Sequence, residues 1–151
     1  MSIISQPQRA LIIPALQATA KREALRELAA AACQRYPQLD PEQIRRVLEE
    51  REELGSTAIG DEVAIPHGKI VGLEEMVLIC GRSEAGVSYG AADGRPVHLI
   101  FLLLAPFQAT NSYLSRLAEL ARFLRQPQVR SRLLQATSRE EIAAILAGDG
   151  K

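Results

Sequence analysis

An excess of charge of either sign is missing from this sequence. Eighteen Lys and Arg balance eighteen Asp and Glu, and the formal net charge is zero. A nucleic-acid binder usually carries a basic excess, so that class loses weight. Long hydrophobic runs are missing too. The most apolar stretch, Val97–Ala105, is interrupted by His98 and is far too short to span a bilayer, so no membrane insertion is expected. The start, MSIISQPQRALIIPA, lacks the basic and apolar layout of a signal peptide. Cysteine is scarce: Cys33 and Cys80 lie far apart in apolar settings, as buried free thiols in a reducing compartment would. A cytoplasmic location is the expectation.

Catalytic signatures are thin as well. The two histidines, His67 and His98, stand 31 residues apart with no Cys/His/Asp cluster around either, so no metal site is expected. There is no G-x-S-x-G, and Ser56 has no nucleophile-elbow context. The glycines of Gly55–Gly60 are not followed by Gly-Lys-Ser/Thr, which removes a Walker loop. No repeat, low-complexity segment or linker divides the chain, so residues 1–151 read as one domain.

What is present is patterned. Leu11–Ile13 predicts a short first strand ended by Pro14. Thr19 is placed to cap a helix over about 20–35 that ends at Pro37. Asp40, Pro41 and Gln43 form the entry of a second helix as cap, first-turn proline and capping-box partner. Leu39 and Ile44 have staple spacing, Ile44, Val47 and Leu48 form the inner face, and the helix runs to about Glu53. Residues 55–61 read as a loop and Glu62–Ile65 as a short strand ending at Pro66. Met76–Cys80 and Val97–Ala105 read as buried strands, with Gly86–Gly90 a weaker candidate. A third helix is expected over about 112–125, with Leu114, Leu117, Ala118, Ala121 and Leu124 inward. Pro127 starts a shorter helix, and the box Ser138–Glu141 opens a last one with Ile142, Ile145 and Leu146 inward. Together these predict an α/β domain of three layers: a mixed sheet with helices on both faces.

His67 is the residue that asks for an explanation, because it lies between Pro66 and Gly68 at the end of LGSTAIGDEVAIPHGK. That setting reads as a bend. Pro66 fixes the backbone, and Gly68 leaves room for another molecule to approach. Neutral imidazole is a good nucleophile near pH 7. Ser56, Thr57 and nearby N–H groups are candidates to meet an anion. Arg51, at the end of the preceding helix, offers a guanidinium suited to phosphate, or is an ordinary cation favoured by the helix dipole. On these residues alone two readings stand: phosphoryl handling at His67, or an exposed turn histidine with no catalytic role. His98 divides in the same way, between a structural hydrogen bond at a strand start and a part in a site on an adjacent strand.

The stretch from Arg51 to Gly60, with Val63-Ala64-Ile65-Pro66-His67-Gly68-Lys69, resembles the active-site segment of the fructose/mannitol-type enzyme IIA domains. These belong to the phosphoenolpyruvate-dependent phosphotransferase system and include stand-alone nitrogen-regulatory members. The likeness continues through Gly86–Ala91, Asp93–Pro106 and the Leu-rich helix after residue 112. It implies that His67 accepts a phosphoryl group from an HPr-like phosphocarrier protein, with Arg51 aiding phosphoryl binding and no cofactor involved. In sugar-transport members the group passes on to a IIB domain; in regulatory members the output is binding of target proteins. A single stand-alone domain favours the regulatory type, and nothing in the sequence fixes an oligomeric state.

One position departs from the family pattern. Many members carry a second histidine beside the reactive one. Tyr113 occupies that position here, and Ser115 stands where some have a further histidine. The expectation is that the Tyr113 hydroxyl orients His67. The departure also motivates a rival reading, a binding module that keeps the fold without phosphoryl turnover, as the cytoplasmic domains of anion transporters do.

Overall fold

A computed structural model describes residues 10–148. The element order is β1 (Leu11–Ile13), α1 (Lys21–Arg35), α2 (Pro41–Glu53), β2 (Ala58–Gly60), β3 (Val63–Ala64), β4 (His67–Ile70), β5 (Val77–Val87), β6 (Val97–Pro106), α3 (Asn111–Leu124), α4 (Pro127–Gln135) and α5 (Arg139–Leu146). The strands form a mixed sheet in the order β1-β5-β6-β3-β2, with β4 also paired to β6. β5 and β6 run antiparallel, while β1 lies parallel to β5, and β3 and β4 lie parallel to β6.

β6 is the axis of the core, and its alternation builds the layers. Leu99, Phe101, Leu103 and Ala105 pack with Leu120, Leu124, Leu133, Ile142 and Leu146 of α3, α4 and α5. Ile100, Leu102 and Leu104 pack on the opposite side with Leu25, Leu28, Ile44 and Leu48 of α1 and α2. Both faces are covered, as near-continuous apolar runs require. Burying each such leucine or isoleucine contributes about 1.5–3 kcal/mol before the entropy of ordering is charged against it.

Two strands lie where the sequence predicts none. β2 falls inside the Gly/Ser/Thr segment and pairs antiparallel with β3, Gly60 opposite Val63. The turn between them holds two consecutive non-glycine residues at positive φ, Asp61 (55°) and Glu62 (71°). That is the backbone of a tight two-residue hairpin, which usually carries Asn-Gly or Asp-Gly. Here it is held by side chains. Asp93 accepts the Asp61 N–H, and Arg95 pairs with Glu62 and Asp61.

β4 begins at His67 itself, so the expected bend is instead the start of a strand. β3 and β4 are two pieces of one line along β6: Val63 and Ala64 face Leu99 and Ile100, then His67 to Ile70 face Leu103 to Pro106. Pro66 marks the break, since it has no N–H to give a ladder. Gly68 is buried against α2, where an added Cβ would lie 2.5 Å from Val47 Cγ1. Its missing side chain therefore serves close packing of β4 on α2, not the approach of a ligand.

Three cap or face assignments also change. α1 is not capped by Thr19; Ala20 precedes it without a side-chain cap and bridges to Ser88, whose carbonyl accepts the Lys21 N–H. Asp40 does cap α2 through the Glu42 N–H, but Gln43 accepts from Val71 N–H instead of closing a box. In α3 the buried set is Tyr113, Leu120 and Leu124, with Leu117 and Ala121 half-buried, while Leu114 and Ala118 are exposed. The helix is turned so that Tyr113 takes the inward place. The box at Ser138 forms as expected on one side, with Ser138 Oγ accepting from the Glu141 N–H.

Candidate functional site

The break at Pro66 supplies the site's first fixed point. With the ladder interrupted, the Ile65 carbonyl is turned to the His67 ring, 2.9 Å from Nδ1. A carbonyl only accepts, so Nδ1 carries the proton and Nε2 presents its lone pair. Position along β4 decides which way the ring faces. Residues two apart share a face of a strand, and Gly68 and Ile70 face α2, so His67 and Lys69 lie on the α3 side.

Arg51 reaches the same nitrogen from the last turn of α2. Its Nε–H points to His67 Nε2 at 3.3 Å, and its Nη1 donates to the Gly55 carbonyl at 2.9 Å. No carboxylate lies within ion-pair distance of Arg51 among the described residues. Its charge is therefore held by neutral acceptors and stands uncompensated beside the lone pair. The sixteen-residue spacing legible in the sequence becomes a contact because the β2–β3 hairpin carries the chain back alongside α2.

Burial holds the His67 pKa below the ordinary histidine value. The bond to the Ile65 carbonyl opposes that, Arg51 reinforces it, and Glu52 opposes it. Desolvation wins, and the ring is neutral and nucleophilic at neutral pH.

Tyr113 meets His67 through its ring. The two ring centres are 6.0 Å apart at an interplanar angle of 61°, an edge-on contact, and Lys69 Nζ sits 5.6 Å from the Tyr113 ring centre. Burial pushes the Tyr113 hydroxyl up to about 12, so it stays protonated. The hydrogen bond that orients His67 is the one its Nδ1–H donates to the Ile65 carbonyl, not one to this hydroxyl.

A cavity of about 210 Å³ opens in front of the imidazole. Arg51, Ser56 and His67 supply its polar wall and Ile59, Ile65, Leu117 and Ala121 its apolar one. Ser56 is exposed and its Oγ accepts from the Ala58 N–H, which leaves its own proton for a ligand. Thr57 also lines this space, but its hydroxyl is buried and committed to Glu52 and Tyr89. The structure thus brings together Arg51, Ser56, His67 and the Tyr113 ring, and turns Thr57 and Gly68 inward.

The other histidine is built into the scaffold. His98 Nδ1 is 2.8 Å from the Ser83 carbonyl, and its Nε2 faces the Glu62 carboxylate at 3.5 Å.

The family described as phosphoenolpyruvate-dependent sugar phosphotransferase system, EIIA 2, matches residues 7–148. The chain belongs to that family. As an enzyme IIA it is a phosphocarrier that works through a phosphohistidine. It is 40% identical over 136 residues to a nitrogen regulatory protein of Bradyrhizobium diazoefficiens, covering 90% of this chain and 88% of that one. A nitrogen regulatory protein of Pseudomonas aeruginosa is 35% identical over 126 residues, 83% of this chain and 82% of that one. Among solved structures, the nitrogen regulatory protein IIA-Ntr of Neisseria meningitidis superposes with a TM-score of 0.85 at 33% identity, covering 96% of this chain and 99% of that one. These likenesses place this enzyme IIA with the nitrogen-regulatory type.

Sequence reasoning passed over two parts of the site. The Ile65 carbonyl is invisible to side-chain patterns, although the Pro at 66 was its signal. Glu52 lies inside the Arg51–Gly60 stretch, but no side-chain pattern in the sequence pairs it with Thr57 five residues on; that pairing is set by the fold.

Proposed function

We propose that Nε2 of His67 is the phosphoryl acceptor and that Arg51 stabilises the transferred group. The observation that carries this is the pairing of a lone pair fixed by the Ile65 carbonyl with a guanidinium that has no acidic partner among the described residues. The donor is the phosphohistidine of an HPr-like phosphocarrier protein. The phosphorus–nitrogen bond breaks on the donor as a new one forms at Nε2, and the electron pair returns to the donor imidazole. Phosphoryl transfer of this kind needs positioning and charge stabilisation more than covalent machinery. Arg51 meets the charge spread over the equatorial oxygens, Ser56 donates from the loop, and the apolar wall of Leu117 and Ala121 keeps water from the reacting line.

The likeness to nitrogen regulatory proteins supports a regulatory output, in which the phosphorylated and free forms bind target proteins differently. A cytoplasmic setting fits such a partner set; no helix of the described residues is long and apolar enough to cross a membrane.

Incubation with phosphoenolpyruvate, enzyme I and an HPr-type carrier tests the assignment. An acid-labile, base-stable phosphate on the wild type and none on His67→Ala is the expected result. Label that persists on His67→Ala overturns the acceptor, and a wild type that takes no label leaves the binding-module reading in its place.

A further inference from the structure

Directly behind Arg51 lies a carboxylate that the transfer step does not use. The Glu52 side chain is 7% exposed and takes four donors. Oε1 accepts from Lys21 Nζ and from the Thr57 N–H, each at 3.1 Å. Oε2 accepts from the Thr57 hydroxyl and from the Tyr89 hydroxyl, the latter at 3.2 Å. Thr57 and Tyr89 also touch each other at 2.9 Å, and Lys21 Nζ lies 4.8 Å from the Tyr89 ring centre. A carboxylate has about four acceptor sites, so this one is filled.

The result is a clasp. Glu52 belongs to α2, and Thr57 ends the loop that leaves it. Two bonds from one carboxylate to one residue fix that loop's far end against its origin. Within the loop lies Gly55, whose carbonyl holds Arg51 Nη1. Gly55 has φ of 144°, an added Cβ there would meet nothing within 4 Å, and its N–H donates to the Glu52 backbone carbonyl at 3.1 Å, which leaves the direction of its own carbonyl to the run of the loop toward Thr57. The link therefore runs from Glu52 to Thr57, back along the chain through Ser56 to Gly55, and from the Gly55 carbonyl to Arg51 and His67 Nε2.

Neighbouring Arg51 and Glu52 also avoid one another. Glu52 is occupied by Lys21 and the two hydroxyls, which keeps a nearby anion from claiming the guanidinium. We infer that Glu52 is a positioning residue for phosphoryl transfer, clasping the 54–57 loop so that Arg51 is held on Nε2 with its charge free for the incoming group. This rests on His67 as the acceptor.

The test combines rate with a measurement on the unphosphorylated protein. Glu52→Gln, fully folded by its thermal melt, accepts phosphoryl groups from a phosphorylated HPr-type carrier about tenfold to a hundredfold more slowly, with KM for the carrier within about twofold. In the resting protein, the Arg51 Nε–H resonance exchanges with water faster than in the wild type. The double variant with Arg51→Ala is no slower than Arg51→Ala alone, because both act through one guanidinium. Wild-type rate in Glu52→Gln, or a double variant whose losses multiply, overturns the inference. Should Glu52→Gln fail to fold, Thr57→Val, which preserves volume and removes one donor, takes its place in the same cycle. Label persisting on His67→Ala would sink the acceptor assignment instead, while the Arg51 exchange measurement would still report whether Glu52 holds the guanidinium.

Discussion

His67 and His98 are nearly the same fitting used twice. Each is half-buried at the N-terminal end of a strand, and each gives Nδ1 to a backbone carbonyl, Ile65 in one case and Ser83 in the other. What differs is the group facing Nε2. His67 meets a guanidinium that no carboxylate of the described residues neutralises, while His98 meets the Glu62 carboxylate. An anion arriving at His67 finds a cation waiting; one arriving at His98 finds a like charge. The carbonyl bond sets the tautomer in both places, so it is the occupant of the far side that separates a nucleophile from a strut.

The sharpest way to break this comparison is to remove each ring in turn. His98→Asn keeps a donor for the Ser83 carbonyl and should label at the wild-type rate, whereas His67→Ala should not label at all. Loss of label in His98→Asn, with the fold intact by circular dichroism, would show that the two sites are not separate.

Next in size is the far-side cation. Arg51→Ala should fold normally and transfer roughly 10- to 150-fold more slowly, the equivalent of about 1.5–3 kcal/mol for a charge-assisted contact to a dianion. Stopped-flow transfer from the phosphorylated carrier measures it, and an unchanged rate would remove Arg51 from the site.

The pH response comes third. The His67 pKa lies below the ordinary histidine value near 6.5, so its NMR titration should have a midpoint under that value, and transfer should stay level down to it. Below 6.5 the unfolded chain binds a proton that folded His67 does not. Stability should therefore decline as pH falls from 6.5 to the folded midpoint and, for this group, no further. Urea midpoints of the wild type against His67→Gln isolate that slope; a slope of the opposite sign would mean that the ring gains a proton on folding.

The smallest effect is expected at Tyr113. Because the contact with His67 is through the ring, Tyr113→Phe should change the transfer rate by less than about twofold. A large loss would restore the hydroxyl to the orienting role that the sequence suggested for it.

Which parts of this could be read from the sequence follows from what kind of interaction places them. Continuous apolar runs revealed the first part of β5 and nearly all of β6, and helical periodicity revealed the flanking layers, because hydrophobic burial is written residue by residue. Arg51 and His67 were legible as chemistry, a helix-end cation and a rare imidazole after proline. β2 was not, because Ala58, Ile59 and Gly60 have no strand signature and the hairpin turn uses Asp61 and Glu62 where glycine is customary. The face of α3 was misjudged by one position. Leu114 is more apolar than Tyr113, yet the tyrosine lies where β4 needs a cover and Leu114 is 62% exposed. Gln43 and Thr19 had correct capping chemistry for a helix standing alone. In the fold, Val71 takes the first and a backbone bridge to Ser88 replaces the second. Tertiary partners outbid local ones wherever both were available.

The interruption at Pro66 has a consequence for time as well as for geometry. β6 is hydrogen-bonded along one side by β5 and along the other by β3 and β4, with the Leu103 N–H given to the Pro66 carbonyl at the gap. Amides in such a doubly flanked central strand exchange with solvent only when the whole molecule opens. His67 opens β4, which is laddered directly onto that strand with His67 opposite Leu103, and does not sit on a loop that breathes. The alignment of its lone pair should consequently persist for as long as the fold does, and deuterium uptake at Leu103 should proceed at the pace of global unfolding.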